Sequence, residues 1–279
     1  MKHLVVTGYA SLDYIVNLSG QMKVDETTII KDRPEGPWFR IGGCPTYIAK
    51  AVKTLEQSAT PIMWIGSDEG SSSIVDSLVD AGISTDGLEV IKINKTPTAI
   101  MIYQPDGSSF CLYDPAFPKQ EKLNSAQIKL IQNADFVCLT AGPGHLQNQI
   151  FSEISKEARV YWAVKNDPSC FDGNLCEKLS KRADVIFCNA AERKLISSTN
   201  ATIIETHGKE GVSIICEKRK THIETNPVDT FDTTGAGDTF AGAFIAAEMS
   251  GRKDPNDAAR VGLEAAESLL IERKGKIRK

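Results

Sequence analysis

Gly235, Ala236 and Gly237, with Asp238 directly behind them, are the residues whose types and spacing come nearest to chemistry in this chain. They lie in "TFDTTGAGDTFAGAF", Thr230 to Phe244, where a glycine-rich turn runs into a helix-like apolar stretch. Amides in the first turn of a helix have no intrahelical acceptor and point out of the positive end of its dipole. The two glycines let a phosphoryl oxygen approach that backbone without meeting a Cβ, so the turn can form an anion hole. Asp238 beside such a hole has two readings. It accepts a proton from an alcohol attacking a γ-phosphorus, or it is an N-terminal helix aspartate that complements the dipole. The turn is not a dinucleotide fingerprint, because G-x-G-x-x-G would need glycine at Phe240. No G-x-x-x-x-G-K-[ST] loop occurs in the chain either.

Such a turn needs elements to hold it. Short β-rich runs at 3–8, 61–66, 135–140, 159–164, 184–189, 202–206 and 212–217 alternate with amphipathic patterns. The helices predicted are 45–57, 71–81, 124–133, 146–157, 173–182, 190–197, 236–250 and 255–273. Apolar strands alternating with helices predict a mostly parallel sheet covered on both faces, with ligands gathering at the strands' carboxyl ends. Segments 11–18, 28–41 and 97–114 break the rhythm; the last reads as a hairpin turning at "PDGS", because Asp106-Gly107 favours a tight turn. They predict a small second β-sheet standing over the strand ends as a lid on a single domain spanning 1–279.

Composition narrows the partners. Of 279 residues, 41% are hydrophobic and 24% charged, enough for a sizeable core. The net charge of −4, with one short basic tail "ERKGKIRK" read as a solvated helix end, predicts no nucleic-acid partner. Seven scattered cysteines without a C-x-x-C pair point to a reducing compartment, the cytoplasm, and away from a disulfide framework or structural zinc. No apolar run approaches ~18 residues, so no membrane span is expected.

Taken with three companion motifs, the chain resembles the ribokinase-like (PfkB) carbohydrate and nucleoside kinases. "DTTGAGDTFAGAF" matches that family's C-terminal signature almost letter for letter. "CNAAERKLI" carries N-x-x-E as Asn189 and Glu192, "ETHGKEGVSI" carries T-x-G-x-x-G as Thr206, Gly208 and Gly211, and "RIGGCPTYIAKAV" carries the double glycine Gly42-Gly43. The resemblance spans residues 3 to about 275. It implies a three-layer α/β/α sandwich with a β lid, ATP and Mg²⁺, a sugar or nucleoside acceptor, and a homodimer formed through the lid.

The resemblance also assigns roles. Asp238 would be the general base and the Gly235–Gly237 amides the anion hole. Asn189 and Glu192 would organise Mg²⁺ through water, where the residues alone read equally as a capping box. Thr206, Gly208 and Gly211 would meet the nucleotide, and helix 255–273 would wall the adenine pocket. Asp232 matches a position near a monovalent-cation (K⁺) site in ribokinase-type members, its plain alternative being a turn cap. Asp13 matches the substrate aspartate, able to accept hydroxyl hydrogen bonds from a vicinal diol. Gly42 and Gly43 would admit the substrate to the backbone. One position departs from the pattern: Tyr47 stands where an asparagine usually holds a sugar hydroxyl, and its ring could stack on a substrate. Trp38, Phe39, Tyr103, Phe110 and Tyr113 form an aromatic acceptor pocket on one reading, and lid core or a dimer contact on the other. The expected activity is ATP-dependent phosphorylation of a primary hydroxyl of a small sugar. The alternatives are a nucleoside kinase and a non-catalytic binding member of the same fold.

Overall fold

A computed structural model of the chain describes residues 2–217 and 219–274, so the last five positions of the basic tail lie outside the described residues. In chain order it begins with β1 (His3–Thr7), β2 (Ser11–Leu18), β3 (Ile30–Asp32), β4 (Arg40–Gly42), α1 (Cys44–Thr54), β5 (Ser58–Ile65) and α2 (Glu69–Asp80). Next come β6 (Leu88–Val90), β7 (Thr98–Tyr103), β8 (Ser109–Asp114), α3 (Ser125–Asn133), β9 (Phe136–Leu139), α4 (Gly144–Glu153), β10 (Arg159–Ala163) and α5 (Gly173–Arg182). The last part holds β11 (Val185–Asn189), β12 (Thr202–Thr206), β13 (Val212–Cys216), β14 (Arg219–Ile223), α6 (Ala236–Met249) and α7 (Pro255–Lys274).

Nine strands form the main sheet in the order β14-β13-β12-β11-β10-β9-β1-β5-β6. It is parallel from β6 to β12, and antiparallel only where β13 and β14 extend it. Strand alternation divides the core between its two faces. Leu4, Val6, Phe136, Cys138, Tyr161, Val185 and Phe187 pack on the side of α1, α2, α6 and α7. Their strand neighbours Val5, Val137, Leu139, Trp162 and Ile186 pack on the side of α3, α4 and α5. The result is three layers.

The smaller sheet has the order β3-β2-β7-β8, with β4 also paired to β2. Its β7–β8 hairpin turns around Asp106, whose carboxylate accepts from the Ser108 amide at 2.9 Å. Ile100, Phe110 and Leu112 are exposed on this sheet. Among the described residues no helix is long and apolar enough to cross a membrane.

Three sequence expectations need correction. The helix expected at 190–197 is one turn of 3-10 helix, Arg193–Leu195, closed by i→i+3 bonds from Leu195 to Glu192 and from Ile196 to Arg193. A capping box is present, but the chain turns extended at Ile196 before a helix can propagate. The strand expected at 61–66 starts earlier, at Ser58, with Pro61 inside it. Ile62 offers its carbonyl towards β1 through Gly8, so Pro61 faces the opposite edge, where β6 pairs only from Met63 onward. No ladder bond is lost there. Two edge strands carried no signal: β6 is three residues long, and β14 ("RKTHI") is exposed and polar at four of its five positions.

Candidate active site

α2, α3 and α5 each begin on a side-chain cap, from Asp68, Asn124 and Asp172 respectively. α6 does not. Its N-cap is Gly235 at φ +73°, with no side-chain partner for the first-turn amides. A Cβ on Gly235 would lie 2.7 Å from three ring atoms of Tyr47, so glycine is demanded by packing as well as by the left-handed backbone. In front of Gly237 there is open space. The Ala236 N–H, expected among the anion-hole donors, is instead taken by the Thr233 carbonyl at 3.1 Å, so the uncapped turn offers the Gly235 and Gly237 amides to a cleft of about 1330 Å³.

Asp238 lies in the first turn of α6, buried, with Oδ1 3.3 Å from Lys165 Nζ. Lys165 follows β10 and was not singled out from sequence; a lysine directly after an apolar strand, in "VYWAVKN", was the available signal. The Asp238 carboxylate beside it raises the Lys165 pKa, so it is a fixed positive charge at this corner. Burial, with the Asp238 carboxylate close by, pushes the Cys44 thiol up, and this cysteine stays protonated.

The carboxyl ends of β10, β11 and β12 deliver the next group. Asn189 Oδ1 accepts from the Glu192 amide at 3.0 Å, while Glu192 Oε2 accepts from the Asn189 amide at 2.9 Å. Burial raises the Glu192 carboxyl, opposed by the Lys165 ammonium. Among the described residues no cluster of three or more His, Cys, Asp or Glu side chains could hold a metal. One buried carboxylate beside one amide suits a hydrated Mg²⁺ on phosphates rather than an all-protein cage. Thr206, Gly208 and Gly211 line the same cleft, and so do Leu263, Ala266 and Leu270 of α7. The loop Thr225–Thr230 closes this side, and nothing in its sequence pattern had marked it.

At the other end, Asp13 projects from β2 and is 4% exposed. Its Oδ1 accepts from Ser11 Oγ at 2.5 Å and its Oδ2 from Tyr47 Oη at 3.2 Å. Each oxygen thus keeps one free lone pair for a substrate hydroxyl rather than two. Gly42 gives room to this carboxylate, since a Cβ there would lie 2.0 Å from Asp13 Oδ2; it does not line the cleft, whereas Gly43 does. Tyr47 packs on Gly235 and lies 5.7 Å beneath the Arg273 guanidinium, so its ring is committed to protein contacts rather than free for stacking.

Of the lid aromatics, Tyr103 and Tyr113 line the cleft together with Tyr9, which sequence reasoning passed over. Tyr9 and Tyr113 meet at 4.7 Å between centroids. Trp38, Phe39 and Phe110 do not line it. Trp38 and Phe39 both pack on Tyr14, and Phe110 is exposed. Asp232 is fully buried and does not face the cleft; it meets Arg40 and Arg273. Arg273 belongs to the stretch read as a solvated helix end, yet it is 3% exposed.

Asp13 carries a pH dependence. Burial pushes its carboxyl up to about 6, with the Asp238 charge helping and the bonds from Ser11 and Tyr47 opposing. Ionisation is needed for it to accept two hydroxyl bonds. kcat/KM for the acceptor is therefore expected to fall about tenfold per pH unit below about pH 6. The sign for stability is the reverse. A carboxyl raised above its unfolded value favours folding below that value, and the benefit is lost as pH rises through 6, at a cost of about 3 kcal/mol once ionised. Asp13→Asn should raise Tm at pH 8 and leave it unchanged at pH 4, read by thermal melts; an equal shift at both values would contradict this.

Comparison with known proteins agrees with the architecture. The sequence matches the model for the pfkB family of carbohydrate kinases over residues 1–278. The chain is 24% identical over 283 residues to a ribokinase of Bacillus subtilis, covering 95% of this chain and 92% of that protein. Arabidopsis thaliana ribokinase complexed with ribose and ATP superposes with TM-score 0.76 at 22% identity, covering 95% of this chain and 92% of that one. A Burkholderia thailandensis nucleoside kinase in complex with inosine also gives 0.76, at 17% identity and 98% coverage of both chains. The fold is ribokinase-like.

Proposed function

Because the chain belongs to the pfkB family of carbohydrate kinases, we propose that it transfers the γ-phosphoryl group of ATP to a primary hydroxyl of a small sugar. One observation carries this reading: Asp238 stands at an uncapped helix N-terminus inside the cleft that Asp13 also lines. The nucleotide lies against Thr206, Gly208, Gly211 and α7, and the sugar hydrogen-bonds Asp13 beneath the small sheet. Asp238 takes the hydroxyl proton as that oxygen bonds to phosphorus and the bond to the β–γ bridging oxygen breaks, releasing ADP. The Gly235 and Gly237 amides and the Lys165 ammonium face the charge that develops on the transferred group. Asn189 and Glu192 would hold Mg²⁺ through water, and the ion when bound neutralises phosphate charge. The small sheet excludes water from the reacting groups.

A nucleoside acceptor is the second reading, favoured by Tyr9, Tyr103 and Tyr113 lining the cleft. The experiment is phosphate transfer from ATP with Mg²⁺ to a panel of pentoses, hexoses and nucleosides, followed by ADP release. We expect a pentose or hexose to exceed every nucleoside by at least about tenfold in kcat/KM, about 1.4 kcal/mol of transition-state binding. A nucleoside at the head of the ranking would select the second reading. No transfer to any of them would leave a binding protein on a kinase fold.

A further inference from the structure

The loop that carries the anion hole is fastened from behind by an arginine. Asp232 Oδ1 accepts from the Thr234 amide at 3.2 Å and lies 3.3 Å from Arg273 Nη1. The same Nη1 donates to the Thr234 carbonyl oxygen. Asp232 Oδ2 forms an ion pair with Arg40 Nη2 at 2.9 Å. One nitrogen of a buried guanidinium thus sits between a carboxylate oxygen and a carbonyl oxygen of one turn, directly before Gly235. A pair of hard oxygen donors of that kind is what an alkali cation binds. Resemblance to ribokinase-type members led us to expect such a cation near Asp232. The donor set does not fit one. Two guanidinium groups already face the single carboxylate, and a further positive charge would be repelled by both.

We infer that Arg273 takes the place of a monovalent cation in this chain: a tethered positive charge on α7 orders the Asp232–Thr234 turn, and phosphoryl transfer requires no K⁺. Arg273 is a positioning residue. It touches neither phosphate nor acceptor, and works by holding the turn whose amides form the anion hole. Its stacking on Tyr47, which donates to Asp13, ties the acceptor carboxylate to the same anchor. Arg40 adds a second tie, because β4 pairs Arg40 with Asp13 across the small sheet. The end of α7, the small sheet and the anion-hole turn are joined at one buried carboxylate.

This inference goes beyond the kinase reading, and its test is separable from it. Wild-type protein is compared in potassium, sodium and choline chloride at equal ionic strength, by Tm and by calorimetric affinity for MgADP, neither of which needs an acceptor. Both should be the same in all three salts. A rise of about 3 °C or more in KCl over choline, the size expected of an occupied ligand site, would overturn the inference even if no acceptor were found. With an acceptor in hand, turnover should vary less than about twofold among the salts, since no site is being filled. Arg273→Met keeps the volume and removes the charge; turnover in choline should fall about 100-fold, the loss typical of a misaligned anion hole, and KCl should recover about tenfold of it. Arg273→Lys keeps a charge with a smaller disturbance, so it should fold, retain most turnover and stay indifferent to K⁺. A folded Arg273→Met that gains no response to K⁺, or an Arg273→Lys as inactive as Arg273→Met, would mean that the arginine serves packing alone.

Discussion

Asp238→Asn should lower turnover by about 10²–10⁴-fold, the range for loss of a positioned general base, while affinity for MgADP stays nearly unchanged. The amide has the size of the carboxylate and can keep its place in the first turn of α6, but it cannot take a proton. The nucleotide contacts proposed above come from elsewhere in the cleft, from Thr206, Gly208, Gly211 and α7. Removing the charge also deprives Lys165 of its 3.3 Å partner. The Lys165 side chain is 36% exposed in the open cleft, so only a small loss of Tm should accompany the loss of turnover. Steady-state kinetics on the best acceptor, with calorimetry for MgADP, separates the two effects. Turnover at the wild-type rate would return Asp238 to the role of a dipole-complementing helix aspartate.

Gly235→Ala carries the second large effect. The left-handed φ of +73° costs an L-residue about 1–2 kcal/mol, and the added methyl would lie 2.7 Å from the Tyr47 ring. Tyr47 cannot retreat freely, because its hydroxyl is bonded to Asp13 and Arg273 lies over its ring. One methyl group should therefore disturb both ends of the reaction. We expect kcat to fall about 10²–10³-fold, as when an oxyanion donor is lost, with KM for the acceptor raised and Tm lowered. Gly237→Ala is the matched comparison. Its Cβ meets no protein atom within 4 Å and points into open space. That variant should keep the wild-type Tm and lose activity only because the methyl occupies room a phosphoryl oxygen needs. If both variants melt alike, Gly235 is not the strained position.

Much of the architecture was readable in order along the chain. "VIFCN" sends Val185 and Phe187 to one face of the sheet and Ile186 and Cys188 to the other, as a strand buried on both sides must. The β7–β8 hairpin followed from Asp106-Gly107, whose turn chemistry is local. The one-turn Arg193–Leu195 segment was misread because a capping box looks the same whether or not a helix follows it. β14 was missed because an exposed edge strand has no apolar period to detect.

The same division runs through the site. Gly235, Ala236, Gly237 and Asp238 are contiguous at the start of one helix, so residue types and spacing alone place a glycine-rich helix N-terminus next to a carboxylate. Asn189 with Glu192 is likewise a local motif, closed by its own reciprocal hydrogen bonds. Lys165 beside Asp238, Tyr47 on Asp13, and Arg40 with Arg273 on Asp232 have no such mark. Each joins two elements remote in sequence, and a charged or polar side chain looks solvated until packing brings its partner to it. Arg273 shows this most clearly, since only the docking of α7 against the Asp232 turn turns an ordinary helix-end arginine into a buried cation. Local backbone chemistry is written in neighbouring residues; charge pairing across the core is decided when the sheet and its covering helices close.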